Sequence, residues 1–346
     1  MKNIIITITI LIGFVLSTSA CTKKEKSVES FSLGLVTDIG GIADRSFNQS
    51  AWEGVLQFVK ENDIDETDYT YIQSTTHADY IPNLSTLADA DTSLIIAAGF
   101  TFTDAITEVA QNFPKTQFLI VDTEVSLPNV ASAVFNEEQG SFLVGIIAGL
   151  QAQAEGKRKV GFIGGMSFDV IHRFEAGFEK GVQTVAPELE LVVEYASDFS
   201  SPQVGQALAA KMYDAGVHII FHAAATTGNG VIKEAKDNAL AGKKVWVIGV
   251  DKDQYKEGLY TNNSSVVLTS MVKRVDVATH DVAALAHEGQ FPANQTLTFS
   301  LANDGVGIPE KNPNVRAEFL EVVDEYKAKV ISGEIQVPQV PSRLRD

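Results

Sequence analysis

Short apolar runs and longer amphipathic stretches alternate along most of this 346-residue chain. Residues 31–37, 69–73, 94–98 and 117–121 are short and rich in Ile, Val, Leu, Phe or Tyr. Between them, 47–61, 80–90 and 103–112 carry apolar positions at helical spacing. A second series follows at 159–163, 191–195, 218–222, 245–250 and 266–271, with helical stretches at 170–185, 204–215 and 231–239. Continuous apolar strands that alternate with helices predict parallel sheets covered on both faces. A further helix over 139–155 ends near Gly156-Lys157-Arg158-Lys159, which marks a crossing between two lobes. The expected fold class is therefore α/β, with two doubly wound lobes and a cleft between them. Ligands in such folds sit beyond the carboxyl ends of the strands. The unusual polar residues fall there: Asp38 after the first strand, Asp122 after the fourth, and Thr227-Gly228 and Asp251 after later ones. One acid after a strand is often only a helix cap. Several, in both halves, converge on one cleft.

The first 20 residues read differently. Lys2 is followed by a mostly apolar run over 4–15 and then by Ser17, Thr18, Ser19 and Ala20. This is the pattern of a secretory signal, too short to span a bilayer comfortably. Cys21 stands at the cleavage position and resembles the lipidated cysteine of a bacterial lipobox. Residues 22–30 are polar and form a tether. The expectation is a protein outside the cytoplasm, held to the cell membrane through the lipid on Cys21 and facing the extracellular side or a periplasm.

Composition narrows the partners. The formal net charge is −17, with 44 Asp plus Glu against 27 Lys plus Arg. That balance argues against nucleic acid and against an anionic membrane surface, which need a basic footprint. One cysteine makes neither an internal disulfide nor a multi-thiolate metal site. No G-x-x-x-x-G-K-[ST] run and no G-x-S-x-G elbow occur. Asp38 and Asp44 do not form the tight aspartate cluster with which nucleoside hydrolases hold calcium. His222 reads as a satisfied, buried strand residue, and the other histidines show no ligand spacing. No enzyme activity, metal or cofactor is expected.

The segment Val36-Thr37-Asp38-Ile39-Gly40-Gly41-Ile42-Ala43-Asp44-Arg45-Ser46-Phe47-Asn48-Gln49-Ser50-Ala51-Trp52-Glu53-Gly54 resembles the opening of the basic membrane protein family. D-x-S-F-N-Q is its most specific piece, and the resemblance extends over nearly all of 31–331. Members are lipoproteins, the binding components of ABC importers for purine nucleosides. The resemblance implies the type I (class B) periplasmic-binding-protein fold, two Rossmann-like lobes joined by several crossovers. It places the N-terminal lobe at 31–155 with a return near 275–305. The C-terminal lobe is then 156–273 with the segment near 306–346. It also implies a nucleoside ligand, with ABC permease and ATPase subunits as partners.

Such a ligand has a flat base and a sugar with vicinal hydroxyls. Phe47 and Phe199 are the candidate stacking rings, with Phe100 and Phe174 in reserve. Asn48 offers an acceptor and two donors, and ionised Asp122 only acceptors; the family associates both positions with base recognition. Asp251 can accept from the 2′ and 3′ hydroxyls, and Lys273 can donate to a ribose oxygen or pair with Asp251. The family carries an Asp and a Lys at these places. Asp38 and Gly228 complete the candidates, the glycine letting backbone N–H groups approach a ligand. Ala225 and Thr226 stand where the family usually has Gly-Gly. Alternative ligands for this fold are ribose or another small sugar, and a surface adhesin-type lipoprotein is a further reading.

Overall fold

A computed structural model describes residues 30–345. The predicted signal, the lipidation site at Cys21 and nearly all of the tether lie outside the described residues. Two six-stranded sheets organise the chain. The first contains β1 (Leu33–Thr37), β2 (Tyr69–Gln73), β3 (Leu94–Ala98), β4 (Gln117–Val121), β5 (Val130–Phe135) and the late strand β11 (Thr296–Phe299). Its order is β11-β5-β4-β3-β1-β2, parallel throughout. The second contains β6 (Lys159–Gly164), β7 (Glu190–Tyr195), β8 (Ile219–Ala223), β9 (Trp246–Asp251), β10 (Val267–Lys273) and the two-residue β12 (Val306–Gly307). Its order is β12-β10-β9-β8-β6-β7, with only β12 antiparallel.

Every residue of β1, β3 and β8 is buried, which is why these segments show no polar alternation. Helices α1 (Phe47–Glu61), α2 (Tyr80–Asp89) and α3 (Thr103–Asn112) serve the first sheet. Helices α5 (Asp169–Val185), α6 (Pro202–Asp214) and α7 (Ala225–Leu240) serve the second.

The chain passes between lobes three times. After β5 it enters α4 (Glu137–Ala154), which packs on α5, β10 and β12. The first crossing therefore falls at Asn136 and not near Gly156, as the charged turn suggested. Fourteen of the eighteen α4 residues are buried, so the helix is a core element of the second lobe. Its approach to α5 needs glycine: a Cβ on Gly181 would lie 2.2 Å from the Phe142 carbonyl oxygen. After β10, helix α8 (Val275–His287) and β11 return to the first lobe, with α8 against α1. The chain then recrosses to β12, and α9 (Ala317–Ile331) packs on α4. These crossings leave the carboxyl ends of both sheets facing one another.

Candidate ligand-binding site

The loop between β1 and α1 supplies the first wall. Asp44 caps α1, its carboxylate accepting from the backbone N–H groups of Ser46 (2.9 Å), Asn48 (2.8 Å) and Gln49 (3.0 Å). Burial nevertheless raises its pKa to about 6. Asp38 Oδ1 accepts from Gly40 N at 2.9 Å and from Asn48 Nδ2 at 2.7 Å. That second bond fixes the orientation of the Asn48 amide. Asn48 is 1% exposed, and its Oδ1 meets no partner among the described residues. Burial also raises the Asp38 pKa.

Strand ends supply the rest. Asp122 and Asp251 follow β4 and end β9 in left-handed backbone, φ 72° and 65°, which Asp tolerates better than most residues. Asp251 is buried and accepts from Ser46 Oγ, a bond that joins the two lobes. Burial pushes its pKa up to about 7, against the opposing pull of Lys273 and Ser46. Lys273, 1% exposed, places Nζ 2.6 Å from Asp122 and 2.9 Å from Glu137. Rings of Phe47, Phe135 and Phe174 surround that ammonium at 5.3, 4.8 and 5.5 Å. Arg173 Nε holds the other Glu137 oxygen at 2.6 Å. Burial raises the Asp122 pKa, with Lys273 opposing it; Asp122 and Glu137 together hold Lys273 protonated despite its burial.

A narrow cavity of about 60 Å³ lies between these walls. Six sequence candidates line it: Asp38, Phe47, Asn48, Asp122, Phe199 and Asp251. Phe100 and Phe174 do so too. Lys273 and Gly228 do not. Lys273 pairs with Asp122 from the opposite lobe and not with Asp251, so it sits behind the wall as counter-ion. Gly228 packs on the His222 ring, where a Cβ would fall 2.1 Å from Nδ1. His222 is fully buried as expected, yet neither ring nitrogen has a hydrogen-bond partner among the described residues, and burial lowers its pKa to about 4.

Comparison with known proteins fits this geometry. A family model described as ABC transporter substrate-binding protein PnrA-like matches residues 31–340. The chain belongs to this Bmp family. It is 46% identical over 325 residues to the CD4+ T-cell-stimulating antigen of Listeria monocytogenes, covering 91% of this chain and 90% of that one. It is 38% identical over 313 residues to the ABC transporter nucleoside-binding protein BmpA of Lactococcus lactis, covering 88% of each. A solved ABC transporter solute-binding protein from Aeropyrum pernix superposes with TM-score 0.79 at 25% identity, covering 89% and 94% of the two chains. The two-lobed type I fold is thus that of solute-binding proteins.

Among the lining residues, Ala225 stands out. It lies at φ 45°, a conformation that strains an alanine and suits a glycine. Ser46, Glu137 and Arg173 escaped the sequence reading. Ser46 lay inside the diagnostic D-x-S-F-N-Q segment, which was signal enough to examine it. Glu137 and Arg173 stand on helices and gave no local sign of reaching a strand-end lysine.

Proposed function

We propose that this substrate-binding protein captures purine nucleosides in its interlobe cleft and presents them to an ABC permease. One observation carries the reading: the unpartnered Asn48 Oδ1 lies among three carboxylates, Asp38, Asp122 and Asp251, in a cavity walled by phenylalanines. The lining offers acceptors in excess, and the nearby cation is already held by Asp122 and Glu137. A complementary ligand brings N–H and O–H donors, a flat face and no negative charge. A nucleoside has all three, whereas a nucleotide adds phosphate that these acids repel.

In this reading Phe47 and Phe199 stack on the base, and Asn48 and Asp122 accept from its edge. Asp251 accepts from the ribose hydroxyls, and Asp38 serves a further donor. Lys273 opposes the rise that burial imposes on the Asp122 pKa and reaches the sugar only after local rearrangement; Gly228 acts indirectly, by its packing on His222. Lipid on Cys21 would hold the protein to the outer face of a membrane, with separate permease and ATPase subunits moving the ligand and hydrolysing ATP. Isothermal titration of the purified protein with inosine, guanosine, adenosine, hypoxanthine, ribose and inosine monophosphate tests this. Saturable binding of the nucleosides, with the base, the sugar and the nucleotide at least tenfold weaker, is expected. Hypoxanthine or ribose binding as tightly as inosine would remove the two-ended recognition.

A further inference from the structure

Beside the cavity lies a second, larger space of about 580 Å³, and the two share Phe100, Asp122 and Val170 as walls. Phe168 lines this bay and carries an anomaly. At 44% exposure it is the only exposed phenylalanine among the described residues. It also occupies the N-cap of α5, where Ser, Thr, Asp or Asn would satisfy a helix N–H, and it makes no cap bond. Its ring lies 5.1 Å from Phe100 of the opposite lobe, tilted by 57°. Beyond that contact, the exposed part of the Phe168 ring at the mouth of the cleft leaves aromatic surface open for stacking. Polar groups, among them the charged side chains of Asp122, Glu124, Asp169 and Arg173, make up most of the rest of the lining. The apolar part of the bay is confined to Phe100, Phe168, Val170, Val134 and Phe135, and it is this aromatic strip that offers a contact for a small group.

We propose that this bay receives an apolar or aromatic group attached to the 6-amino nitrogen of a purine nucleoside. The inference rests on the nucleoside reading, in which Asp122 meets the base edge. Asp122 is one of the three walls common to both spaces, so a substituent leaving that edge enters the bay. A singly substituted amine keeps one N–H for Asp122, whereas an oxygen ether at the same position would not. The substituent then lies on the open face of Phe168, next to Phe100. The ligand class widens accordingly from plain purine nucleosides to their N6-substituted forms.

Titrations of adenosine and N6-benzyladenosine into the wild-type protein and Phe168→Ala test it. The wild type is expected to bind the benzyl compound at least as tightly as adenosine. Phe168→Ala should weaken N6-benzyladenosine by about five- to tenfold more than adenosine, and Phe168→Trp should retain the preference. Rejection of N6-benzyladenosine by a wild type that holds adenosine overturns the subsite alone. Equal weakening of both ligands by Phe168→Ala also overturns it, and makes Phe168 a contact between lobes. A wild type that binds neither compound overturns the nucleoside reading and this inference with it.

Discussion

Replacing Asp251 with asparagine should favour the closed, ligand-free form at alkaline pH. The carboxyl is buried at the end of β9, under Ser46 of the other lobe. Burial raises its pKa from 3.8 to about 7. Across that interval the closed protein retains a proton that a solvated Asp251 has released, so the group leaves closure unopposed below about pH 4, opposes it increasingly up to about pH 7 and by a constant amount above that. At ~1.4 kcal/mol per tenfold change in proton affinity, the opposition at pH 8 is on the order of 4 kcal/mol. That is an upper limit, because water entering a loosened cleft reduces it. Even a quarter of it shifts the ratio of closed to open forms about fivefold. Asparagine tolerates φ 65°, can still accept from Ser46 Oγ, and cannot ionise. Small-angle scattering without ligand should show the wild type expanding between pH 5 and pH 8 while Asp251→Asn stays compact. The variant should still bind inosine more weakly, having lost a charged acceptor for the ribose. A radius of gyration that responds to pH identically in both proteins would refute this reasoning.

Three further substitutions probe the frame of the site. Ala225→Gly removes left-handed strain at the start of α7 and should raise stability by about 1 kcal/mol in thermal unfolding, because the strain exceeds the added chain entropy. His222 is held neutral, with its pKa lowered to about 4, so the unfolded chain takes up a proton first as pH falls from 6.5. Wild-type stability should fall by up to about 3 kcal/mol across that window, and urea unfolding at pH 4.5 and 7 should show His222→Gln losing much less. Gly181→Ala drives a methyl into the Phe142 carbonyl and should destabilise by about 3 kcal/mol in urea; an unchanged midpoint would mean that α4 and α5 can separate freely.

The central strands were legible because burial on both faces leaves an unbroken apolar run, as in β1, β3 and β8. Strand β5, VASAVF, was passed over because its small side chains blur the apolar signal. Strand β11 lies at a sheet edge with exposed threonines, and β12 has two residues, so neither produces a pattern. The returns of the chain through α8 and β12 came from family resemblance, since no local sequence property encodes which sheet a strand joins. The strand-end aspartates were legible for a topological reason: parallel sheets put those positions at the cleft. The partner of Lys273 was not. The sequence suggested a ribose oxygen or Asp251, which like Lys273 ends a strand of the same lobe, whereas the contact is with Asp122 across the lobes.

The five residues from Asp44 to Asn48 tie recognition to closure. Asp44 secures the helix start, and its carbonyl accepts from Asn229 Nδ2 of the second lobe at 3.0 Å. The Arg45 carbonyl accepts from Gln254 Nε2 at 3.0 Å, and Ser46 donates to Asp251. Phe47 and Asn48 then turn into the cavity. Several contacts between the lobes therefore come from the same loop that faces the ligand, and the carboxylates of the cleft around it are buried, with pKa values that all rise. Closing the empty cleft removes water from these acids and supplies few donors in return. A ligand with N–H and O–H groups supplies the missing donors only when both walls are in place, so its binding energy differs between the open and closed forms. That difference is what allows a ligand to shift such an equilibrium. It follows that weakening the Asp44–Asn48 loop and removing ligand hydroxyls should affect closure in the same direction, because both subtract donors from one set of buried carboxylates.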